Sequence, residues 1–153
     1  FLNLIKKHKN LFVMRSITKT FGLASARIGF LISNKESIKP FKALETPYPI
    51  SLFSGKCLDF FLDNKNLLSK YNLKVKRGRE FICKQLIKKN YIVHNSYGLS
   101  VFILFKNKRD LNYKHKLLEK KFIYTRPMQV NKTNFLRITS GPKKQMQKIL
   151  KFF

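Results

Sequence analysis

The chain has 153 residues, and 44% of them are hydrophobic, which is enough for a sizeable core and argues against disorder. It carries 33 Lys and Arg against 7 Asp and Glu, a formal net charge of +26. No apolar run reaches the roughly 20 residues of a membrane-spanning helix, and no secretory signal pattern opens the chain. We therefore expect a cytoplasmic protein without a membrane partner.

The positive charge is spread along the whole chain and comes more from Lys than from Arg. Specific nucleic-acid binding requires an element that carries base-reading groups, and no helix-turn-helix, zinc-finger or RNA-binding-sheet pattern is present. We therefore expect a solvated basic surface and no specific nucleic acid partner. A basic nucleic-acid-binding module is the alternative from another functional class. The scattered cysteines and histidines predict no metal site.

The first half of the chain alternates short apolar stretches with polar loops. Its predicted elements are a helix at residues 2–9, a strand at 11–15, a loop at 16–26, a buried strand at 28–32, and helices at 36–44 and 51–64. Two prolines at residues 47 and 49 bias the chain toward an extended corner between the last two helices. Because the chain opens inside a predicted helix, we expect that a preceding part of the protein is missing.

The second half predicts an α/β layer in which helices cover a small sheet. Apolar residues at helical spacing predict one long helix at residues 67–90, with a kink expected at Gly78. Runs of β-branched and aromatic residues predict four strands, at residues 91–93, 100–105, 122–125 and 135–139. Helices are predicted at residues 110–120 and 142–153.

A single lysine stands among hydroxyl and small residues in the segment Arg-Ser-Ile-Thr-Lys-Thr-Phe-Gly-Leu-Ala-Ser-Ala-Arg-Ile-Gly, residues 15–29. A lysine that bonds to a carbonyl group needs a partly desolvated pocket in which its amine is neutral. A phosphate nearby needs hydroxyl donors and an arginine fork. Lys19, the hydroxyls of Ser16 and Thr18, and Arg27 supply these groups. On spacing alone, an ordinary Ser/Thr/Gly loop remains the alternative.

This segment resembles the cofactor-lysine signature of class I and II aminotransferases, the fold-type I pyridoxal-phosphate enzymes. That signature has Ser-x-Ser/Thr-Lys followed by Gly-Leu-Ala-Gly-x-Arg-x-Gly, and only Ser25, which replaces a glycine, departs from it. The resemblance implies that Lys19 is the catalytic residue and holds pyridoxal 5'-phosphate. It also implies that Ser16, Thr18 and Arg27 bind the phosphate of that cofactor.

A second motif, Asn-Phe-Leu-Arg-Ile-Thr-Ser-Gly at residues 134–141, resembles the Leu-Arg-Ile-Thr-x-Gly strand of the same family. Arg137 corresponds to the family's arginine for the substrate carboxylate or an equivalent anionic group, and a bidentate Arg suits a planar anion better than Lys does. Tyr-Thr-Arg-Pro at residues 124–127 resembles the preceding strand of the histidinol-phosphate aminotransferase branch. This implies a substrate contact for Arg126.

The resemblance implies a fold of the α/β class. Residues 1–72 would be the C-terminal remainder of the large pyridoxal-phosphate-binding domain, and residues 73–153 the small C-terminal α/β domain. Thr-Pro-Tyr-Pro-Ile-Ser at residues 46–51 resembles a turn of the same branch, with Pro49 in place of its Asn. The implied activity is transfer between a small-molecule amino donor and a keto acid acceptor, in a full-length homodimer. A pyridoxal-phosphate-dependent threonine-phosphate decarboxylase shares these motifs and is the alternative.

The family places further cofactor groups before its cofactor lysine: an acid opposite the pyridine nitrogen, an Asn and a Tyr at the ring oxygen, and an aromatic residue stacked on the ring. Only 18 residues precede Lys19. We therefore expect the chain to be a fragment that is inactive alone. A split gene, a decaying gene and an incomplete sequence all fit this expectation.

Overall fold

The computed structural model describes residues 2–16, 24–94 and 96–153. These residues form β1 (Val13–Ser16), β2 (Gly29–Ile32), α1 (Lys35–Ala43), α2 (Leu52–Asp63), α3 (Lys65–Lys88), β3 (Val93–His94), β4 (Ser100–Phe105), α4 (Lys108–Glu119), β5 (Arg126–Val130), β6 (Thr133–Thr139) and α5 (Lys143–Leu150). The chain divides into two compact units, Phe1–Ser69 and Lys70–Phe153, which we call the first and the second unit. The domain boundary expected after residue 72 stays a prediction.

In the first unit, β1 and β2 pair antiparallel as a two-stranded sheet, which we call the β1–β2 ribbon. The apolar sequence predicted that the second strand is buried, and this is wrong. The residues Gly29–Ile32 are exposed or half-buried, although Ile28 just before them is buried. An apolar strand is buried on both faces only where other layers cover it. Among the described residues, no third strand pairs with the ribbon.

The helix predicted at residues 2–9 is also wrong, because the structure has only a short 3-10 helix at Leu2–Leu4 followed by turns. So short a helix is marginal in water unless it packs, and Ile5 is the one buried residue of this stretch. The predicted helices α1 and α2 are confirmed. Each begins at a polar residue whose side chain caps the first turn, Asn34 for α1 and Ser51 for α2.

The second unit is built on a four-stranded antiparallel sheet with the strand order β3-β4-β6-β5. Successive residues of a strand point to opposite faces, and alternate residues of β4 and β6 are buried. These buried residues meet apolar side chains of the three helices α3, α4 and α5. The resulting core contains Ile82, Leu86, Val101, Ile103, Leu111, Leu118, Leu136, Ile138 and Met146. One face of the sheet is therefore buried under helices, and the residues of the other face are exposed or half-buried.

Two predicted strands are misplaced because residues in a left-handed conformation close the preceding helices. Asn90 has φ 63°, and the amide of Tyr91 donates to the carbonyl of Leu86 at 3.0 Å, so residues 89–91 close α3 and β3 starts at Val93. Phe122 has φ 57° and closes α4 in the same way. The strand predicted at residues 122–125 is therefore wrong, and β5 begins at Arg126.

The strands β5 and β6 form a hairpin through a two-residue turn. Asn131 and Lys132 have φ 47° and 63°, and such a turn matches the twist of the strands on either side. Val130 faces Thr133 across the turn, which fixes every later pair of the hairpin. Pro127 can lie within β5 because β5 is an edge strand in the described sheet.

Close backbone packing joins α3 to the segment between β6 and α5. A methyl group added at Gly78 would overlap the carbonyl oxygen of Gly141 and would lie 3.0 Å from the amide nitrogen of Lys143. α3 runs through Gly78 without a break. The glycine therefore lets α3 approach the end of β6 closely, and this approach holds the strand that carries Arg137.

We expect Gly78→Ala to lower the free energy of unfolding by about 1–3 kcal/mol, because the added methyl group must displace backbone atoms. The matched control is Gly55→Ala in α2, where no atom lies within 4 Å of the added methyl group. That control is expected to be neutral or slightly stabilising, since Ala favours a helix over Gly. Urea unfolding followed by circular dichroism measures both. Equal stability of the two variants would contradict the packing described for Gly78.

Candidate functional site

The segment with the cofactor-lysine signature joins β1 to β2. Thr18 and Lys19 lie outside the described residues. Ser16 ends β1 and faces Gly29, the first residue of β2. Arg27 lies two residues before Gly29. The predicted phosphate ligands Ser16 and Arg27 therefore stand at the same end of the β1–β2 ribbon, where they flank the segment that contains Lys19.

Arg27 presents an exposed guanidinium group from a fixed backbone. Its φ is 47°, an uncommon conformation for a residue with a side chain. Ala26 and Ile28 on either side of it are buried, at 1% and 3% exposure. The Ser54 hydroxyl, on α2, donates to the Ala26 carbonyl at 2.6 Å. These contacts hold the backbone while the Arg27 side chain stays in solvent, where it can bind an anion.

The two predicted substrate-binding arginines lie side by side in the second unit. Arg126 on β5 is directly opposite Arg137 on β6. Residues opposite each other in an antiparallel pair project to the same face, with Cα atoms about 4.5–5.5 Å apart. Arg137 is half-buried and Arg126 is exposed. The strand pairing thus brings together two cations that are 11 residues apart in the sequence.

This arginine pair has no acidic partner in the described part of the chain. No Asp or Glu follows Glu119 in the sequence. Within the described residues, neither guanidinium group takes part in a hydrogen bond or an ion pair. Like charges directly opposite each other destabilise a sheet. A doubly charged anion between the two forks would offset this repulsion and accept hydrogen bonds from both.

An apolar surface continues from the arginine pair across the same face of the sheet. Phe102 on β4 lies opposite Arg137. A shallow apolar cavity of about 170 Å³ is lined by His94, Phe102, Met128, Val130 and Phe135. The rings of His94 and Phe135 are in edge contact, with 5.6 Å between their centres. This face could therefore bind a small molecule that has an anionic end and an apolar or flat body.

No sequence motif predicts a role for the residues that position Arg126. The Nδ1 atom of His115 on α4 lies 2.9 Å from the hydroxyl oxygen of Thr125, the residue before Arg126. This bond ties the start of β5 to a helix. The two residues are 10 positions apart and belong to different elements, so no local pattern could have paired them.

Among the described residues, no group of three metal-ligating side chains is present, and no helix has the length and apolar composition of a membrane span.

Comparison with known proteins identifies the family. A family model for class I and II aminotransferases matches residues 2–153. The chain therefore belongs to the class I and II aminotransferase family, and the predicted resemblance to that family is confirmed. The roles predicted for Lys19 and Arg137 stay predictions.

The relatives with curated names include histidinol-phosphate aminotransferases. The chain is 34% identical over 149 residues to that of Sulfurisphaera tokodaii, covering 97% of this chain and 40% of the relative. It is 31% identical over 154 residues to that of Buchnera aphidicola subsp. Cinara cedri, covering 98% of this chain and 43% of the relative. The chain thus spans about two fifths of the length of these relatives.

Solved structures share the fold. The histidinol-phosphate aminotransferase of Sinorhizobium meliloti, in complex with pyridoxal-5'-phosphate, has a TM-score of 0.80 at 20% identity over 94% of this chain and 40% of that one. The L-threonine-O-3-phosphate decarboxylase of Porphyromonas gingivalis has a TM-score of 0.79 at 23% identity over 99% of this chain and 48% of that one. The predicted α/β fold class, part of a fold-type I enzyme, is confirmed.

We expect Arg126→Gln to raise the free energy of unfolding by about 0.2–1 kcal/mol in phosphate-free buffer of low ionic strength, because it removes one of two facing like charges. Added inorganic phosphate should raise the free energy of unfolding of the unsubstituted chain more than that of Arg126→Gln. Urea unfolding with and without phosphate, at constant ionic strength, measures both effects. Lys132→Gln, at the turn of the same hairpin, is the control for loss of one charge. Equal stabilisation of native chain and Arg126→Gln by phosphate would contradict the anion site.

Proposed function

We propose that this chain contributes to a pyridoxal-phosphate-dependent aminotransferase whose amino substrate carries a phosphate group, as histidinol phosphate does. The observation that carries this proposal is the pairing of Arg126 with Arg137 on one face of the sheet, without a carboxylate partner among the described residues. Two arginine forks suit a phosphate, and the names of the Sulfurisphaera and Buchnera relatives specify a phosphorylated amino substrate. An amino donor and a keto acid acceptor are the reactants.

The residues at the end of the β1–β2 ribbon fit the phosphate of the cofactor. A serine hydroxyl on Ser16 and the solvent-facing guanidinium of Arg27 are suitable donors for a phosphate, and Thr18 adds a second hydroxyl. Lys19 would bond to the cofactor through its Nζ atom and, once released, would move the proton from the substrate carbon. Bound pyridoxal phosphate supplies an electron sink for the negative charge left on that carbon.

A threonine-phosphate decarboxylase is the second candidate. The structural likeness to the Porphyromonas gingivalis decarboxylase favours it, and the substrate in that enzyme's name also carries a phosphate that the arginine pair could bind. The arginine pair therefore favours a phosphorylated amino compound as the substrate, but it does not distinguish transamination from decarboxylation. Assays with histidinol phosphate and with threonine phosphate, using the complete catalytic assembly, would separate the two candidates.

To test the cofactor assignment, we would mix the purified chain with pyridoxal phosphate, reduce with borohydride and map the modified lysine by mass spectrometry. We expect most of the label on Lys19, because neighbouring phosphate ligands hold the cofactor there. In Lys19→Ala this label should be lost. Lys42→Ala, a variant of an exposed lysine at the end of α1, is the matched control. Label scattered over many lysines and unchanged in Lys19→Ala would contradict the assignment.

We expect little or no transamination from the 153-residue chain alone. The chain spans about two fifths of the curated relatives that it matches. By its resemblance to the family, the acid at the pyridine nitrogen and the other contacts to the cofactor ring would lie outside the matched part, and the full-length enzyme would be a homodimer. A coupled assay with an amino donor and a keto acid, with free pyridoxal phosphate as the blank, measures the rate. Turnover at about 1 per second or faster, as in ordinary enzymes, would show that the chain is catalytically complete.

A further inference from the structure

Helix α3 carries far more positive than negative charge. It has six Lys and two Arg but only one acidic residue, Glu80. Helix residues that are three, four or seven positions apart lie on the same side. Five of the cations follow this spacing and are exposed, and we call them the basic stripe: Lys70, Lys74, Arg77, Lys84 and Lys88. At a rise of about 1.5 Å per residue, the stripe is about 27 Å long.

A sixth cation lies at the centre of the stripe. Phe81 occupies the gap between Arg77 and Lys84, and the Nζ atom of Lys143 lies 5.1 Å from the centre of the Phe81 ring. The ring face attracts the lysine and holds it there. Lys143 begins α5 and is itself exposed. Its charge therefore adds to the charges of the stripe.

These six cations have no acidic partner in the described part of the chain. The two ion pairs found there are Lys39–Glu36 and Lys76–Glu80, and neither includes the stripe or Lys143. Like charges on successive turns of a helix repel each other. Because the cations are spread over about 27 Å, no single small anion can contact them all. A partner that offsets the repulsion must carry negative charge along its length.

Two features favour a nucleic acid as this partner over a membrane or an acidic polypeptide. The apolar face of α3, with Val75, Ile82 and Leu86, is buried in the protein, so this face cannot insert into a bilayer. A nucleic acid carries a phosphate at every nucleotide whatever its sequence, whereas a polypeptide matches the stripe only if it is acidic throughout. Lysine suits phosphates because it binds them as a point charge.

An open cavity beside the stripe favours a single strand over a duplex. The cavity has a volume of about 480 Å³ and is lined by residues of α3 and β3: Glu80, Cys83, Lys84, Ile87, Lys88 and Val93. Lys84 and Lys88 thus belong to both the stripe and the cavity. A phosphate bound to these two lysines would bring the adjoining base to the cavity. Only an unpaired base can enter it, because the bases of a duplex are enclosed in the stack.

We propose that the basic stripe and Lys143 bind single-stranded nucleic acid through its phosphates, without sequence preference. Phosphate contacts carry no sequence information, so this binding needs no base-reading element. The six cations include none of the residues assigned to the cofactor or to the substrate. The activity is therefore additional to the proposed function and does not depend on it.

The first test is fluorescence anisotropy of a labelled oligothymidylate of about 20 nucleotides, titrated with the 153-residue chain at several salt concentrations. Six phosphate contacts at about 0.7 each predict a slope of about −4 for the logarithm of the association constant against the logarithm of salt concentration. The affinity should thus fall about 200-fold between about 50 and 200 mM salt. Oligoadenylate of the same length should bind within about threefold, and a duplex at least about fivefold more weakly.

The second test compares two variants of equal net charge. In the stripe variant, Gln replaces the five residues of the basic stripe. In the control variant, Gln replaces five exposed lysines of the second unit outside α3: Lys108, Lys116, Lys120, Lys121 and Lys132. We expect a slope of about −1 for the stripe variant and about −3 or steeper for the control variant. Arg in place of the four stripe lysines should preserve the slope, because it keeps the charge.

Four results would overturn the proposal: equal losses in the two variants, a slope shallower than about −2 for the unsubstituted chain, a preference above about tenfold for one base sequence, or a duplex that binds as tightly as the single strand. Tighter binding to polyglutamate or to anionic phospholipid vesicles would identify another partner and would also overturn it.

Circular dichroism checks that the stripe variant is folded. If it is not, Lys74→Gln and Lys88→Gln alone decide, since each should make the slope shallower by about 0.7 and an unchanged slope would contradict the proposal. All these measurements omit pyridoxal phosphate and amino substrates, so their outcome is separable from that of the proposed function.

Discussion

In the second unit, helices bury only one face of the four-stranded sheet, and this burial determines which side chains lie on the other face. Helices α3, α4 and α5 supply the apolar side chains that cover this face, and Gly78 lets α3 approach the end of β6. Because strand residues alternate between faces, the same burial that fixes Leu136 and Ile138 inside directs Arg137 to the other face. Arg126 lies on the same face because it pairs with Arg137 in the hairpin. The core thus stabilises an arrangement of two cations that is unfavourable without a ligand.

Local signals in the sequence were sufficient for most helices and for the chemistry of single residues. Hydroxyl and small residues around Lys19 and Arg27 indicate their chemistry, and the alternation of apolar stretches with polar loops predicts α1 and α2. The arginine pair was harder to foresee. It depends on the two-residue turn at Asn131 and Lys132, which contains no glycine to indicate a left-handed conformation. Once that turn is recognised, counting residues away from it along both strands shows that residue 126 pairs with residue 137.

In the first unit, the burial of the apolar strands could not be predicted from the sequence alone. Its apolar strands predicted an interior position, but burial also requires the layers on each side, and the described residues do not provide them. The same limit applies to helix ends. Asn90 and Phe122 close α3 and α4 in a left-handed conformation, and a phenylalanine at such a position gives no signal in the sequence. The exposure of the apolar strands is consistent with coverage of only about two fifths of the relatives.

We propose that Arg27 belongs to a cofactor-phosphate site and that Arg126 and Arg137 form a substrate-phosphate site. The chain has seven arginines, so their Nε–Hε signals can be followed individually by NMR in a titration with histidinol phosphate and, as the control, with histidinol. We expect the signals of Arg126 and Arg137 both to shift when histidinol phosphate is added and to shift far less with histidinol, whereas the signal of Arg27 responds to pyridoxal phosphate. Equal shifts with histidinol phosphate and with histidinol, or shifts spread over all seven arginines, would contradict this assignment.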